Sequence, residues 1–147
     1  MSQAERIRGD VKTAMKERDR ARVGALRMLG AALQNGEIEA GRPLTEEEEQ
    51  TILRRQLKQR EESAEAFLRA GREGQAASES AEAEVVRAYL PEPLSPEELE
   101  GIVDTAIEDT GATGMRDMGA VMGRALDLAG GRADGRELSA LVRSRLQ

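Results

Sequence analysis

Histidine and cysteine are both missing from these 147 residues. The first absence removes the side chain that most often serves as a general base or metal ligand near neutral pH. The second excludes disulfides and thiolate metal sites, and is compatible with a reducing compartment. Tryptophan is missing too, and Phe67 and Tyr89 are the only aromatic residues, which argues against single-stranded RNA bound by stacking its bases on aromatic rings. No apolar run approaches the ~20 residues that a membrane-spanning helix needs. The opening MSQAERIRGD lacks the apolar region of a signal peptide. The expectation is a cytoplasmic protein with no membrane anchor, no cofactor and no bound metal.

What is present favours helix. Alanine, leucine, glutamate and arginine dominate, while β-branched residues are scarce, and the first group are good helix formers. The length suits one compact unit or two small helical lobes. The net charge of −6 is unevenly spread. Residues 1–90 sum to −1, residues 91–111 to −7 with no basic side chain, and residues 112–147 to +2. Segment 6–27 carries eight Arg/Lys against three acids. An acidic total argues against a dedicated nucleic-acid coat protein but leaves room for one basic face.

In chain order, Ser2 with Glu5 three residues on is a capping-box pattern, and Ile7, Val11, Ala14 and Met15 make the apolar stripe of a first helix. Asp19 can cap a second helix with core positions at Val23, Leu26, Leu29 and Leu33, fading by Gly41; Gly36 interrupts its pattern. Thr45 caps a third helix whose first turn, Glu46 to Glu49, meets the positive end of the helix dipole. Ile52, Leu53, Leu57, Ala64, Phe67 and Leu68 carry that helix to about residue 70. Arg54, Arg55, Lys58 and Arg60 form an acid-free cluster on it. A solvated helix face explains such a cluster; contact with RNA phosphates is the sharper alternative. Ala77, Ala81, Val85 and Ala88 predict a fourth helix ending at Tyr89-Leu90-Pro91, because proline disfavours helical geometry in the residue before it. Tyr89 is expected to pack across that corner rather than stack on a base.

Ser95-Pro96-Glu97-Glu98 combines a cap, a proline at the first helical position and a capping-box glutamate. Leu99, Ile102, Val103, Ala106 and Ile107 form the face of the fifth helix. In the stretch 115–146, Met118, Val121, Met122, Ala125 and Leu126 make one apolar side and Gly119 and Gly123 a neighbouring strip. Glycine inside a helix costs up to about 1 kcal/mol relative to alanine, so two of them suggest close approach of another backbone. Core packing explains this better than a ligand site. Gly130-Gly131 permit a left-handed turn, Asp134 with Glu137 can cap the last helix, and Leu138, Leu141, Val142 and Leu146 supply its stripe. The expected fold is all-α and multihelical. A four-helix N-terminal lobe occupies 1–90, and a three-helix tail occupies 91–147.

The run DMGAVMG, then GGRADG, then ELSALVRSRL resembles the C-terminal tail of the GatB/YqeY family. RMLGAALQN (27–35), TEEEEQTILRRQLKQREES (45–63) and YLPEPLSPEEL (89–99) are similar to the family's stand-alone YqeY-like members, so the resemblance covers nearly the whole chain. It implies a relationship to tRNA-dependent amidotransferases, which are carbon–nitrogen ligases using glutamine as amido donor. In them the chemistry lies in other domains and the helical tail helps engage tRNA. This chain matches the tail and its helical neighbour and carries no counterpart of the catalytic parts.

The residues agree with that division. Without histidine or cysteine, an active site would need a serine–lysine pair or paired carboxylates. Only Lys12, Lys16 and Lys58 are available, with no glycine-rich serine motif nearby in sequence, and no phosphate-cradling glycine loop occurs. No catalytic residue is assigned, and activity of the chain on its own is not expected. The leading expectation is a module engaging tRNA or an aminoacyl-tRNA amidotransferase-type complex through Arg54, Arg55, Lys58, Arg60, Arg116, Arg124, Arg132, Arg136 and Arg143, with Arg145 nearby. Gly119, Gly123, Gly130, Gly131, Asp134, Tyr89 and Pro91 are expected to shape the fold. The rival is a protein–protein adaptor docking a partner helix on the Gly/Met face. Buried methionines with aligned arginines would favour the first, and an exposed Met-rich groove without them the second.

Overall fold

Three helices of this protein begin with a full capping box, where the chain supplies a side-chain acceptor for an orphan N–H group of the first turn. Ser2, Thr45 and Ser95 each accept from the N–H three residues on, at 3.1–3.2 Å, and Glu5, Glu48 and Glu98 return the bond. In the computed structural model, which describes every residue except Gly131, the elements are α1 (Gln3–Lys16), α2 (Arg20–Ala40), α3 (Glu46–Arg69), α4 (Glu73–Arg87), α5 (Pro96–Thr110), a 3-10 turn (Met115–Asp117), α6 (Met118–Ala129) and α7 (Gly135–Leu146). Among the described residues there is no strand. The class is all-α.

The chain divides into two compact units, Met1–Pro91 and Glu92–Gln147, each closed around its own apolar cluster. In the first, α1 packs on α2 and α3 on α4, and Ile7, Leu26, Leu29, Leu33, Leu53 and Val86 are withdrawn from water. Each such side chain contributes roughly 1.5–3 kcal/mol through burial. In the second, α5, α6 and α7 enclose Val103, Val121, Ala125, Leu138 and Val142.

Several apolar positions fall differently from the periodic reading. Met15 is 52% exposed, because Ala14 takes the core position in the last turn of α1 and leaves its neighbour on the flank. Leu68, in the last turn of α3, is exposed as well. On α4 the inward residues are Ala76, Ala83 and Val86, while Ala77, Ala81 and Ala88 face water. The alanine-rich sequence offers several equivalent faces, and the bulk of Val86 and Tyr89 selects among them. Leu126 is 44% exposed, one position round from the Val121–Ala125–Ala129 stripe that packs on α5 and α7.

The glycines also exchange roles. A Cβ added at Gly119 or Gly123 would meet nothing within 4 Å, so among the described residues no other backbone approaches that strip. Gly36 is where space is tight: a Cβ there would lie 2.5 Å from Ile52 Cδ1 and 3.2 Å from Leu44 Cδ1. The residue that interrupts the apolar pattern of α2 is therefore the one that admits α3, and the helix runs through it unbroken. Gly130 ends α6 at φ 57°, as its left-handed expectation requires; Gly131 lies outside the described residues.

Candidate functional site

The basic cluster on α3 is acid-free only in sequence. Helix α4 lies against it and supplies the missing carboxylates. Arg60 Nε is 3.4 Å from Glu79 Oε2, and Arg60 Nη1 is 3.4 Å from Glu82 Oε2 and 3.3 Å from Met28 Sδ. Its side chain is 20% exposed. Arg54 and Lys58 are half-buried and make interactions of their own, while Arg55 is exposed. The four residues do not form one open cationic face, because Arg60 is absorbed into the α3–α4 packing.

The arginines of the second unit divide similarly. Arg124 Nε donates to Asp109 Oδ2 at 2.9 Å, tying α6 to α5, and Arg145 pairs with Asp104 to tie α7 to α5. Arg132 Nε donates to the Glu92 carbonyl at 3.1 Å. Arg116 is exposed beside Asp117, whose carboxylate accepts from Thr113 N–H at 2.9 Å and Gly114 N–H at 3.3 Å. Those backbone bonds, the Thr113 one foremost, hold the Asp117 carboxyl below its usual range. Arg136 and Arg143 are exposed on α7. Seven residues is two helical turns, so they stand in one row about 10 Å apart. The backbone N–H of Arg136 is already taken by Asp134 Oδ1 at 3.0 Å, so the start of α7 carries its own anion.

Two polar groups hold the first unit together at the end where α1 begins and α4 stops. Tyr89 is 3% exposed; its hydroxyl donates to Asp10 Oδ2, its carbonyl accepts from Gln3 Nε2 at 3.1 Å, and the Arg6 guanidinium sits 4.7 Å from its ring centroid. Burial first, and the bond to Asp10 second, push the phenol up to about 12. Tyr89 thus packs within its unit, with no ring face free for a base. The second group is Glu49, in sequence just one of four acids in the first turn of α3. It is buried, and its two carboxylate oxygens accept from Gln3 N–H at 3.3 Å and Ala4 N–H at 3.1 Å. With Ser2 capping Glu5 N–H, the first three N–H groups of α1 are all satisfied. No local signal distinguishes Glu49 from Glu46 and Glu47, because its partners lie 46 and 45 residues away.

Among the described residues, no group of three or more acidic side chains is placed to hold a metal ion, and no helix is long and apolar enough to cross a membrane. The depression lined by Glu61, Ser80, Ala81, Ala83, Glu84 and Arg87 is shallow, and its Arg87 is already bonded to Glu61 at 3.0 Å and to Glu84.

The sequence model of the Yqey-like protein family matches residues 4–146. The chain belongs to that family. It is 28% identical over 130 residues to a protein of Pyrenophora tritici-repentis named altered inheritance of mitochondria protein 41, mitochondrial, covering 87% of this chain and 71% of that one. It is also 45% identical over 58 residues to a glutamyl-tRNA(Gln) amidotransferase subunit of Thermococcus gammatolerans, covering 37% of this chain and 9% of that protein. As a Yqey-like protein, the chain is therefore related along nearly its whole length to that family, and over a short stretch to one part of a much larger amidotransferase polypeptide.

Proposed function

We propose that this Yqey-like protein is a non-catalytic helical module that engages tRNA, alone or within an amidotransferase-type complex, through exposed arginines of its C-terminal unit. The observation that carries the reading is the row of Arg136 and Arg143 on α7, in a chain sharing 58 residues at 45% identity with a glutamyl-tRNA(Gln) amidotransferase polypeptide. Arginine forks suit phosphate oxygens, and side chains two turns apart on one helix can follow a backbone. Of the three methionines that a partner-helix groove would use, Met118 and Met122 are partly buried against the core and Met115 is exposed, so two of the three are turned from such a groove, which favours phosphate contact. Arg116 is a further exposed cation of that unit; Arg55 is exposed on α3 of the first unit, while Arg60 and Arg124 are committed to carboxylates. No carbon–nitrogen ligase activity is expected of the chain itself.

The test is binding of the full chain to total tRNA across a salt series, beside Arg136→Ala/Arg143→Ala. Binding should weaken steeply with salt, and the double variant should lower the slope of log K against log salt by about one to two. Absence of binding by the parent chain at low salt would overturn the proposal. Glutamine-dependent turnover of a charged tRNA by the purified chain would overturn its non-catalytic part.

A further inference from the structure

The left-handed backbone conformation that ends several helices here is supplied by glycine at Gly41, Gly71, Gly111 and Gly130. Arg18, at φ 59°, is the one non-glycine residue among the described residues with positive φ. After α3, Gly71 N–H bonds to Leu68 O and Arg72 N–H to Phe67 O; after α1, Arg18 N–H bonds to Met15 O and Asp19 N–H to Ala14 O. These are the same two bonds of the same helix-ending motif, in which glycine avoids the clash of a Cβ. Arginine in that place costs stability, so its side chain is the part that needs explaining.

That side chain lines an open cleft at the α1–α2 corner with Met15, Arg20, Val23, Gly24 and Arg27. Whereas Arg42, Arg60, Arg69, Arg87, Arg124 and Arg145 each pair with a carboxylate, Arg18, Arg20 and Arg27 have no carboxylate partner among the described residues. The acids of the corner are Glu17, which is exposed, and Asp19, whose Oδ1 caps α2 by accepting from Arg22 N–H at 3.1 Å. The floor is apolar: Met15 is half-exposed, Val23 is partly buried, and Gly24 faces open space. Arg27 Nη2 lies 3.7 Å from Met15 Sδ, joining floor to rim.

We propose that this corner docks an acidic amphipathic helix of a protein partner, its carboxylates on Arg18, Arg20 and Arg27 and an apolar side chain on Met15 and Val23. Charge complementarity selects an anion, and the exposed apolar floor selects a peptide over a phosphodiester backbone, which gains nothing from a thioether. The inference is independent of tRNA engagement, which involves α7.

The experiment uses the full chain and three labelled probes: a helical peptide with glutamates on one face and leucines on the other, the same peptide with serine for leucine, and an oligouridylate. The leucine peptide should bind, and Arg20→Ala/Arg27→Ala should weaken it roughly tenfold, as expected for two exposed charge pairs. Met15→Ser should weaken it several-fold, and the serine peptide should bind less well than the leucine peptide. Arg18→Gly should raise the melting temperature while weakening the peptide, which also shows that lost binding does not come from lost folding. Equal binding of the leucine and serine peptides, or peptide binding unchanged in the double variant, would overturn the proposal. So would oligouridylate binding stronger than peptide, lost in Arg20→Ala/Arg27→Ala and indifferent to Met15→Ser.

Discussion

Tyr89 gives the protein an alkaline limit of known sign. Its folded-state ionisation is raised from 10.0 to about 12, so the folded chain holds the phenolic proton more tightly than the unfolded one does. The associated stability is fully present below pH 10 and is lost as pH rises through 12. Because Tyr89 is the only tyrosine, tyrosinate absorbance reports it alone, and its midpoint should lie above 10 in the folded chain. Tyr89→Phe keeps the packed ring but loses the bond to Asp10. It should cost about 1.5–3 kcal/mol at neutral pH, the range for a hydrogen bond to a charged group, and remove this tyrosine's contribution to the alkaline loss. Glu49 is the other residue whose role lies in one distant contact. Glu49→Ala leaves two N–H groups of α1 without their acceptor, and should lower unfolding stability by about 1–3 kcal/mol in a urea melt, whereas Glu47→Ala, on the exposed side of the same turn, should change little.

Among the helices, two glycines predict opposite outcomes. Gly123 lies inside α6 facing open space, so Gly123→Ala should stabilise by about 0.5–1 kcal/mol through helix propensity alone. Gly36→Val drives side-chain atoms toward Ile52 and Leu44 at the α2–α3 contact, and overpacking of this kind costs about 1–3 kcal/mol. Urea midpoints for the two variants should move in opposite directions. Helix packing also redistributes the basic clusters. Arg60 looks free along α3, yet the α3–α4 packing presents Glu79 and Glu82 to it; Arg124 is a candidate phosphate contact in the sequence with Arg145 nearby, yet they are the pins that fasten α6 and α7 to α5.

For the molecule as a whole, the consequence is two separately closed cores. A substitution that opens a cavity in one should leave the other's unfolding in place. Leu138→Ala in the second unit should cost about 2–5 kcal/mol, and hydrogen exchange should show protection lost across α5, α6 and α7 while α1 to α4 keep theirs. A uniform loss of protection along the chain would show that the two units unfold as one.

The helical class, the caps at Ser2, Thr45 and Ser95, the stop at Gly41 and the kinship with the Yqey-like family were all legible in the order of residues. Those features depend on residues within four positions of one another, or on motif order along the chain, and both can be read linearly. Which arginines remain exposed, why Gly36 rather than Gly119 or Gly123 is the tight position, and that Glu49 serves α1 rather than α3 were settled by packing alone. So was the meeting of Met15 with Arg18, Arg20 and Arg27 at one corner. The partners in each case come from a different helix, or from a turn whose φ no composition shows, and a charge or a glycine has no fixed role until its neighbour in space is known.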